Sequence, residues 1–180
     1  MAPVQIFSDV YALALGVVNV FFIRDGDGLT LIDTGNPGNE QLILEGARAL
    51  GVAPQGIRHI ALTHCHPDHA GSLAALARLT GAHVWMHHHD AEVVRGKLPL
   101  PRLTPSPGLL NGILYRLFVN GAPPTVPVAR VDHEIGDGEL LPIGGGLRAY
   151  HTPGHSAGHV AFLLERAGGL LFAGDACANL

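Results

Sequence analysis

Thr63-His64-Cys65-His66-Pro67-Asp68-His69 is the stretch on which the reading of this 180-residue chain turns. It sets four side chains able to ligate a metal, His64, His66, Asp68 and His69, within six residues. On its N-terminal side residues 57–63 form a short apolar run of strand length. On its C-terminal side Leu73, Leu76, Ala77 and Leu79 recur at helical spacing up to Gly81. The cluster therefore falls where a buried strand hands over to a helix predicted over residues 68–79. Side chains two apart in an extended segment share a face, so His64 and His66 can share one ion while Cys65 points away. Pro67 turns the chain, which sets Asp68 and His69 over a neighbouring position able to take a second ion. Imidazole nitrogens mixed with carboxylate oxygens suit zinc first, and also iron, manganese, cobalt or nickel.

Upstream, residues 17–23 and 29–32 are rich in Val, Ile and Phe, and Arg24-Asp25-Gly26-Asp27-Gly28 between them supplies Asp-Gly turn chemistry. A β-hairpin is predicted there. Asn36 and Pro37 have the character of a helix start, Leu42, Gly46, Ala47 and Leu50 keep helical spacing, and Gly51 is placed to close a helix over residues 37–50. Downstream, strands are predicted at residues 83–86, 146–151, 160–164 and 170–173. Between the first two lies an excursion over residues 98–128. Its Pro99, Pro101, Pro105, Pro107, Pro123, Pro124 and Pro127 exclude regular structure throughout. Inside it Leu109, Leu110, Ile113, Leu114, Leu117 and Phe118 make a brief apolar stripe flanked by Arg102 and Arg116, readable as core, as a dimer contact, or as a receiver of an acyl chain or carboxylate.

Three further segments accompany the histidine cluster: Leu31-Ile32-Asp33-Thr34-Gly35, Thr152-Pro153-Gly154-His155-Ser156-Ala157-Gly158-His159, and Phe172-Ala173-Gly174-Asp175. Together, and in this order, the four resemble the H-x-H-x-D-H, D-T-G, P-G-H-x-x-G-H and G-D motifs of the metallo-β-lactamase superfamily. The resemblance runs over nearly the whole chain. It implies an α/β fold, the four-layer αββα sandwich, here without its C-terminal strand and helix elements. It implies two divalent metal ions, zinc first, with iron or manganese as alternatives: one held by His64, His66 and His155, the other by Asp68 and His69, with Asp175 bridging. Asp33 would stand behind the ligands, fixing the tautomer and orientation of a histidine. The family supplies one more histidine to the second ion, downstream of the bridging Asp. This sequence ends five residues past Asp175, so a longer natural chain and a loosely held second ion are the expectation.

Composition narrows the rest. A chain that is 47% hydrophobic and 14% charged suits a single domain over residues 1–180. The formal charge of −4 comes without a Lys/Arg stripe, so nucleic acid is not implied. The longest apolar run, residues 11–23, is too short to span a bilayer, and the first ten residues lack the positive charge of a signal peptide. A cytoplasmic protein acting on a small molecule, with neither membrane nor nucleic acid as partner, is the expectation, and nothing bears on the oligomeric state. Cys65 and Cys177 read as small packed residues, and two cysteines make no disulfide framework. His87, His88 and His89 read as a solvated strand end, because three consecutive residues cannot converge on one ion. His159 reads as packing near the site without ligating, and His59, His83, His133 and His151 carry no motif.

The resemblance implies hydrolysis of an ester, thioester or lactone by a metal-activated water, with Asp68 orienting the water and shuttling a proton to the leaving group. Asp175 stands where the β-lactam-hydrolysing zinc enzymes commonly carry Cys, so antibiotic hydrolysis is not implied. Related folds with one iron ion oxidise glutathione persulfide with dioxygen. That chemistry would use His64, His66, and Asp175 or His155. A metal-binding domain without catalysis is the third reading.

Overall fold

Alternating apolar side chains at the N-terminus build an antiparallel meander: β1 (Val4–Phe7), β2 (Val10–Ala14), β3 (Asn19–Asp25) and β4 (Gly28–Ile32). A computed structural model describes residues 2–101, 108–114, 116 and 125–177. The hairpin closes at Gly26-Asp27, with Asp25 opposite Gly28 and Gly26 at φ +60°, the left-handed conformation that suits glycine. β3 starts at Asn19 and not at residue 17, because Val17 sits 88% exposed in the turn closed by Leu15 N–H to Val18 O.

From β4 onward the connections change character. β5 (Ile57–Ala61), β6 (His83–His87) and β7 (His133–Ile135) add in parallel, giving a seven-stranded sheet in sequence order. Parallel neighbours need crossovers, and the helices α1 (Glu40–Ala49), α2 (Pro67–Ala70), α3 (Leu73–Thr80) and α4 (His88–Val94) lie in them. β8 (Leu140–Leu141), β9 (Leu147–His151), β10 (Val160–Leu164) and β11 (Leu170–Phe172) form a second, antiparallel sheet in the order β11-β10-β9-β8.

Strands β2 to β6 of the large sheet feed two cores, as period-two alternation requires. Val20 and Phe22 of β3 point to the helix side, with Ile43 and Leu44 of α1, Leu73 and Leu76 of α3, and Val94 of α4. Ile23, Ile32 and Trp85 face the second sheet, against Leu147, Phe162 and Phe172. The result is a mixed α/β stack of helices, sheet and sheet, as the motifs imply. The outer face of the small sheet leaves Leu140, Tyr150 and Leu171 exposed.

Two predicted helices are shorter than their sequence pattern. The first starts at Glu40, because Asn36 to Asn39 forms a turn in which Asn39 Oδ1 accepts from Asn36 N–H at 2.9 Å. The stretch read as one helix over residues 68–79 is α2 and α3, broken at Gly71 and Ser72. There Ser72 Oγ donates to Asn36 O at 2.6 Å and accepts from Asn39 N–H at 2.9 Å, and a Cβ on Gly71 would stand 2.4 Å from Pro37. Docking onto the 36–39 turn replaces helix continuation. In the 98–128 excursion α5 (Leu109–Leu114) exposes Leu109, Leu110 and Ile113, so these are not core. Arg102, Leu117 and Phe118 lie outside the described residues. No described helix is long and apolar enough to cross a membrane.

Because β4, β5 and β6 are parallel, the loops after their C-terminal ends gather at one edge, where open α/β sheets bind ligands. Val160 N–H donates to Thr63 O at 2.8 Å and brings the start of β10 to the same edge.

Candidate metal centre

All seven residues singled out from the motifs meet at this edge. Asp33 follows β4, His64 to His69 follow β5, His155 lies in the β9–β10 loop, and Asp175 follows β11. Donor atoms of His64, His66 and His155 lie within 4.8 Å of one another, and so do those of His64, Asp68 and His69. His64 belongs to both groups. Asp175 lies between the groups, with Oδ1 3.1 Å from His69 Nε2 and Oδ2 3.0 Å from His155 Nε2 and 4.0 Å from His64 Nε2. Asp68 is half-buried, its Oδ2 3.7 Å from His69 Nε2.

Asp33 organises this arrangement from behind. Its φ of +63° puts it in the left-handed region that Asp and Asn tolerate best among side-chain-bearing residues. Oδ1 accepts from Thr63 N–H at 2.8 Å, and Oδ2 lies 2.8 Å from His69 Nδ1 and 2.9 Å from the Thr63 hydroxyl. A carboxylate only accepts, so His69 carries its proton on Nδ1 and turns Nε2 inward. The Thr63 hydroxyl spends its proton on Asp33, so its oxygen accepts from His64 Nδ1–H at 3.0 Å, and His64 Nε2 also faces inward. One buried carboxylate thus sets two tautomers.

The Nε2 atoms of His64, His66 and His69 are buried without a hydrogen-bond partner. His69 Nε2 is near Asp175 but lacks hydrogen-bond alignment with it. Buried imidazole nitrogens without partners are costly in an ordinary interior, and they fit a site that a cation completes. Burial first, then the neighbouring His69 and His66, push the His64 pKa far below its usual value. Burial and His155 hold His66 at about 4, the neutral form a ligand needs. At His69 burial works the other way from the net effect. Asp33 and Asp175 outweigh it and raise the pKa to about 11, and they favour a metal cation in the proton's place for the same electrostatic reason. Asp175 stays ionised despite burial, because His155 and His69 hold it far below the carboxylate range.

His159 packs beside the site without joining either group, as expected, and its role is more definite than packing. It is fully buried, and its Nε2 accepts from Asp175 N–H at 3.0 Å. That acceptor role leaves the proton on Nδ1, which donates to Thr152 Oγ1 at 2.8 Å. Gly174 before it has φ +53°, and a Cβ there would stand 2.7 Å from His159 Nε2 and 3.0 Å from Thr63 Cβ. Cys65 is buried in the helix-side core, where burial first and then Asp90 push its thiol far up, so it is inert. The reading of His87 to His89 as a solvated strand end needs correction. His87 is 2% exposed, ends β6 and caps α4 by accepting from His89 N–H, whereas His88 and His89 are exposed in the first helical turn. Reading the motifs missed the anchoring role of Thr63 and overlooked Asp90 entirely, since no motif contains Asp90 and only its tertiary partners mark it.

A family model described as the metallo-beta-lactamase superfamily matches residues 13–178. Protein YobT of Bacillus subtilis is 33% identical over 91% of this chain and 63% of its own length. A hydroxyacylglutathione hydrolase of Albidiferax ferrireducens is 28% identical over 97% of this chain and 50% of its own. Among solved structures, BJP-1, a subclass B3 metallo-beta-lactamase of Bradyrhizobium japonicum, superposes with a TM-score of 0.72 at 26% identity, over 89% of this chain and 55% of that one. The chain spans 50% and 63% of the length of the two curated relatives.

Proposed function

This chain belongs to the metallo-β-lactamase superfamily, and from that premise we propose that it is a hydrolase that uses two divalent ions, zinc by choice of donors, to cleave an ester, thioester or lactone in a small molecule. The observation that carries the reading is the set of three buried, unpartnered imidazole nitrogens on His64, His66 and His69, those of His64 and His69 lying beside Asp175 and His66 packed on His155 through Nδ1. His64, His66 and His155 would hold one ion, Asp68 and His69 the other, and Asp175, whose two oxygens reach a histidine of each group, would bridge. When bound, the ions supply a water ionised near neutral pH and a Lewis acid for the carbonyl oxygen.

The protein's own contribution is orientation and proton handling. Asp33 and Thr63 engage the Nδ1 atoms of His69 and His64 and so leave the Nε2 atoms aimed inward, where a metal cation would take the proton's place. His159 holds the backbone of Asp175. Asp68, more open to solvent than the histidines of its group, is the carboxylate able to accept the water's proton and return it to the leaving group. The acylglutathione named for one relative, a thioester, supports that bond class.

Elemental analysis of the purified protein, run beside a panel of thioesters and lactones, tests the proposal. Two zinc ions per chain and thioester turnover that EDTA abolishes are expected, with both lost in His64→Ala or His66→Ala. Iron uptake with oxygen consumption on a thiol persulfide would replace hydrolysis by the persulfide dioxygenase reading. Bound metal without turnover of any substrate would leave a binding domain.

A further inference from the structure

Asp33 is one of two carboxylates buried among the described residues, and Asp90 is the other. Asp90 lies in the first turn of α4, 1% exposed. Its Oδ2 accepts from Cys65 N–H at 3.0 Å and from the Ser156 hydroxyl at 2.7 Å, and its Oδ1 accepts from Gly158 N–H at 2.7 Å. Every donor belongs to a ligand segment: Cys65 stands between His64 and His66, and Ser156 and Gly158 follow His155. A carboxylate buried away from any cation persists only where fixed donors meet its lone pairs, and its charge makes those bonds short and directional. Gly158 agrees independently. A Cβ there would stand 2.6 Å from the Asp90 backbone nitrogen and 2.7 Å from its carboxylate carbon, so the loop lies against Asp90 as closely as a bare backbone allows.

We infer that Asp90 is a positioning residue that clasps the loop of His64 and His66 to the loop of His155, and so sets the spacing of the three imidazoles that would share the first ion. The inference rests on the two-metal reading above. The loops come from different sheets, and the backbone bond from Val160 to Thr63 joins them only ahead of His64. Beyond that bond, the rings of His66 and His155 must still come within 4.5 Å between centroids. Asp90 spans that stretch, and it does so from the end of a third strand, β6, that contributes no ligand. Asp33 does the equivalent for His64 and His69.

The test compares cobalt(II)-loaded wild type with Asp90→Asn and Ser156→Ala, using His155→Ala and His69→Ala as references for damage to the first and second ion. Asn keeps the shape, but its NH2 must face the N–H of Cys65 or of Gly158, and neither backbone donor can reverse. Asp90→Asn is expected to bind the first ion about ten- to a hundredfold more weakly, with the second ion's affinity within about twofold of wild type. Its visible cobalt absorption should move toward that of His155→Ala and away from that of His69→Ala. Ser156→Ala removes one donor of the three and leaves no clash, so it should give a smaller change of the same kind, and it decides the matter if Asp90→Asn does not fold. Wild-type spectra and affinities in the variants would overturn the inference, and so would equal weakening of both ions, the mark of a general scaffold residue. Wild type that takes up no cobalt would refute the two-metal reading, and the clasp's role with it.

Discussion

Replacing Asp33 by Asn isolates one hydrogen bond at the centre. Asn tolerates the left-handed backbone that Asp33 adopts at φ +63°, so the turn into Thr34 and Gly35 is kept. Thr63 N–H, a donor that cannot reverse, claims the side-chain oxygen in the place of Oδ1, and the Thr63 hydroxyl, 3.0 Å from that oxygen, keeps it as its acceptor. The new NH2 then stands where Oδ2 lies 2.8 Å from His69 Nδ1. Two donors face each other, and the imidazole escapes by moving its proton to Nε2, the atom that would hold the second ion. Loss of such an outer carboxylate weakens metal binding about ten- to a hundredfold, equivalent to about 1.4–2.7 kcal/mol. That range agrees with the roughly 1.5–3 kcal/mol contributed by a hydrogen bond to a charged group. The assay is zinc titration of EDTA-stripped protein against a chromophoric chelator, with circular dichroism to verify folding. The second, weaker step should shift by that factor while the first is held. If both steps stay at wild-type affinity, the tautomer argument is refuted. If only the first shifts, Asp33 serves His64 and not His69.

Asp175→Asn removes the anion shared by the two histidine groups. A metal-to-protein ratio falling from two toward one, together with loss of turnover, is the expected result, and unchanged stoichiometry would show that Asp175 does not bridge. Gly174→Ala combines a left-handed backbone, which costs about 1–2 kcal/mol in a residue with a Cβ, with collision against His159 and Thr63. Urea denaturation should reveal a loss of at least that size, and wild-type stability would mean that the Asp175 turn is more plastic than its geometry implies. Phe162→Ala empties a fully buried site between the two sheets, for a loss of about 3–5 kcal/mol by the same measurement; a much smaller loss would mean that the sheets close over the cavity. His87 is held at about 4 by burial first and then by His151, His88 and His89. The unfolded chain therefore takes up a proton at His87 between pH 6.5 and pH 4 that the folded chain refuses, and metal-free protein loses stability as pH falls through that window. His87→Asn keeps a helix-capping acceptor without the titration. It should show a smaller loss between pH 7 and pH 4 than wild type, and parallel curves would exclude His87 as a source.

Residue type and spacing alone marked His64, His66, Asp68 and His69 as candidate ligands, with the strand before them and the hairpin, whereas His155 and Asp175 came from the family resemblance. His64 and His66 fall two apart on an extended segment, a local geometry that any fold containing that strand reproduces, and Asp-Gly turn chemistry is equally local. Tertiary structure decided where patterns stop and what the uncommitted polar residues do. Ser72 ends one helix and lets another begin, because Asn36 O, 36 residues away in sequence, takes its hydroxyl proton. Asp90 follows a run of histidines with no motif to mark it, and its meaning comes from partners 25, 66 and 68 residues away. A buried carboxylate is defined by the donors that surround it. Those donors lie on chain segments that only the parallel strands and the second sheet bring together.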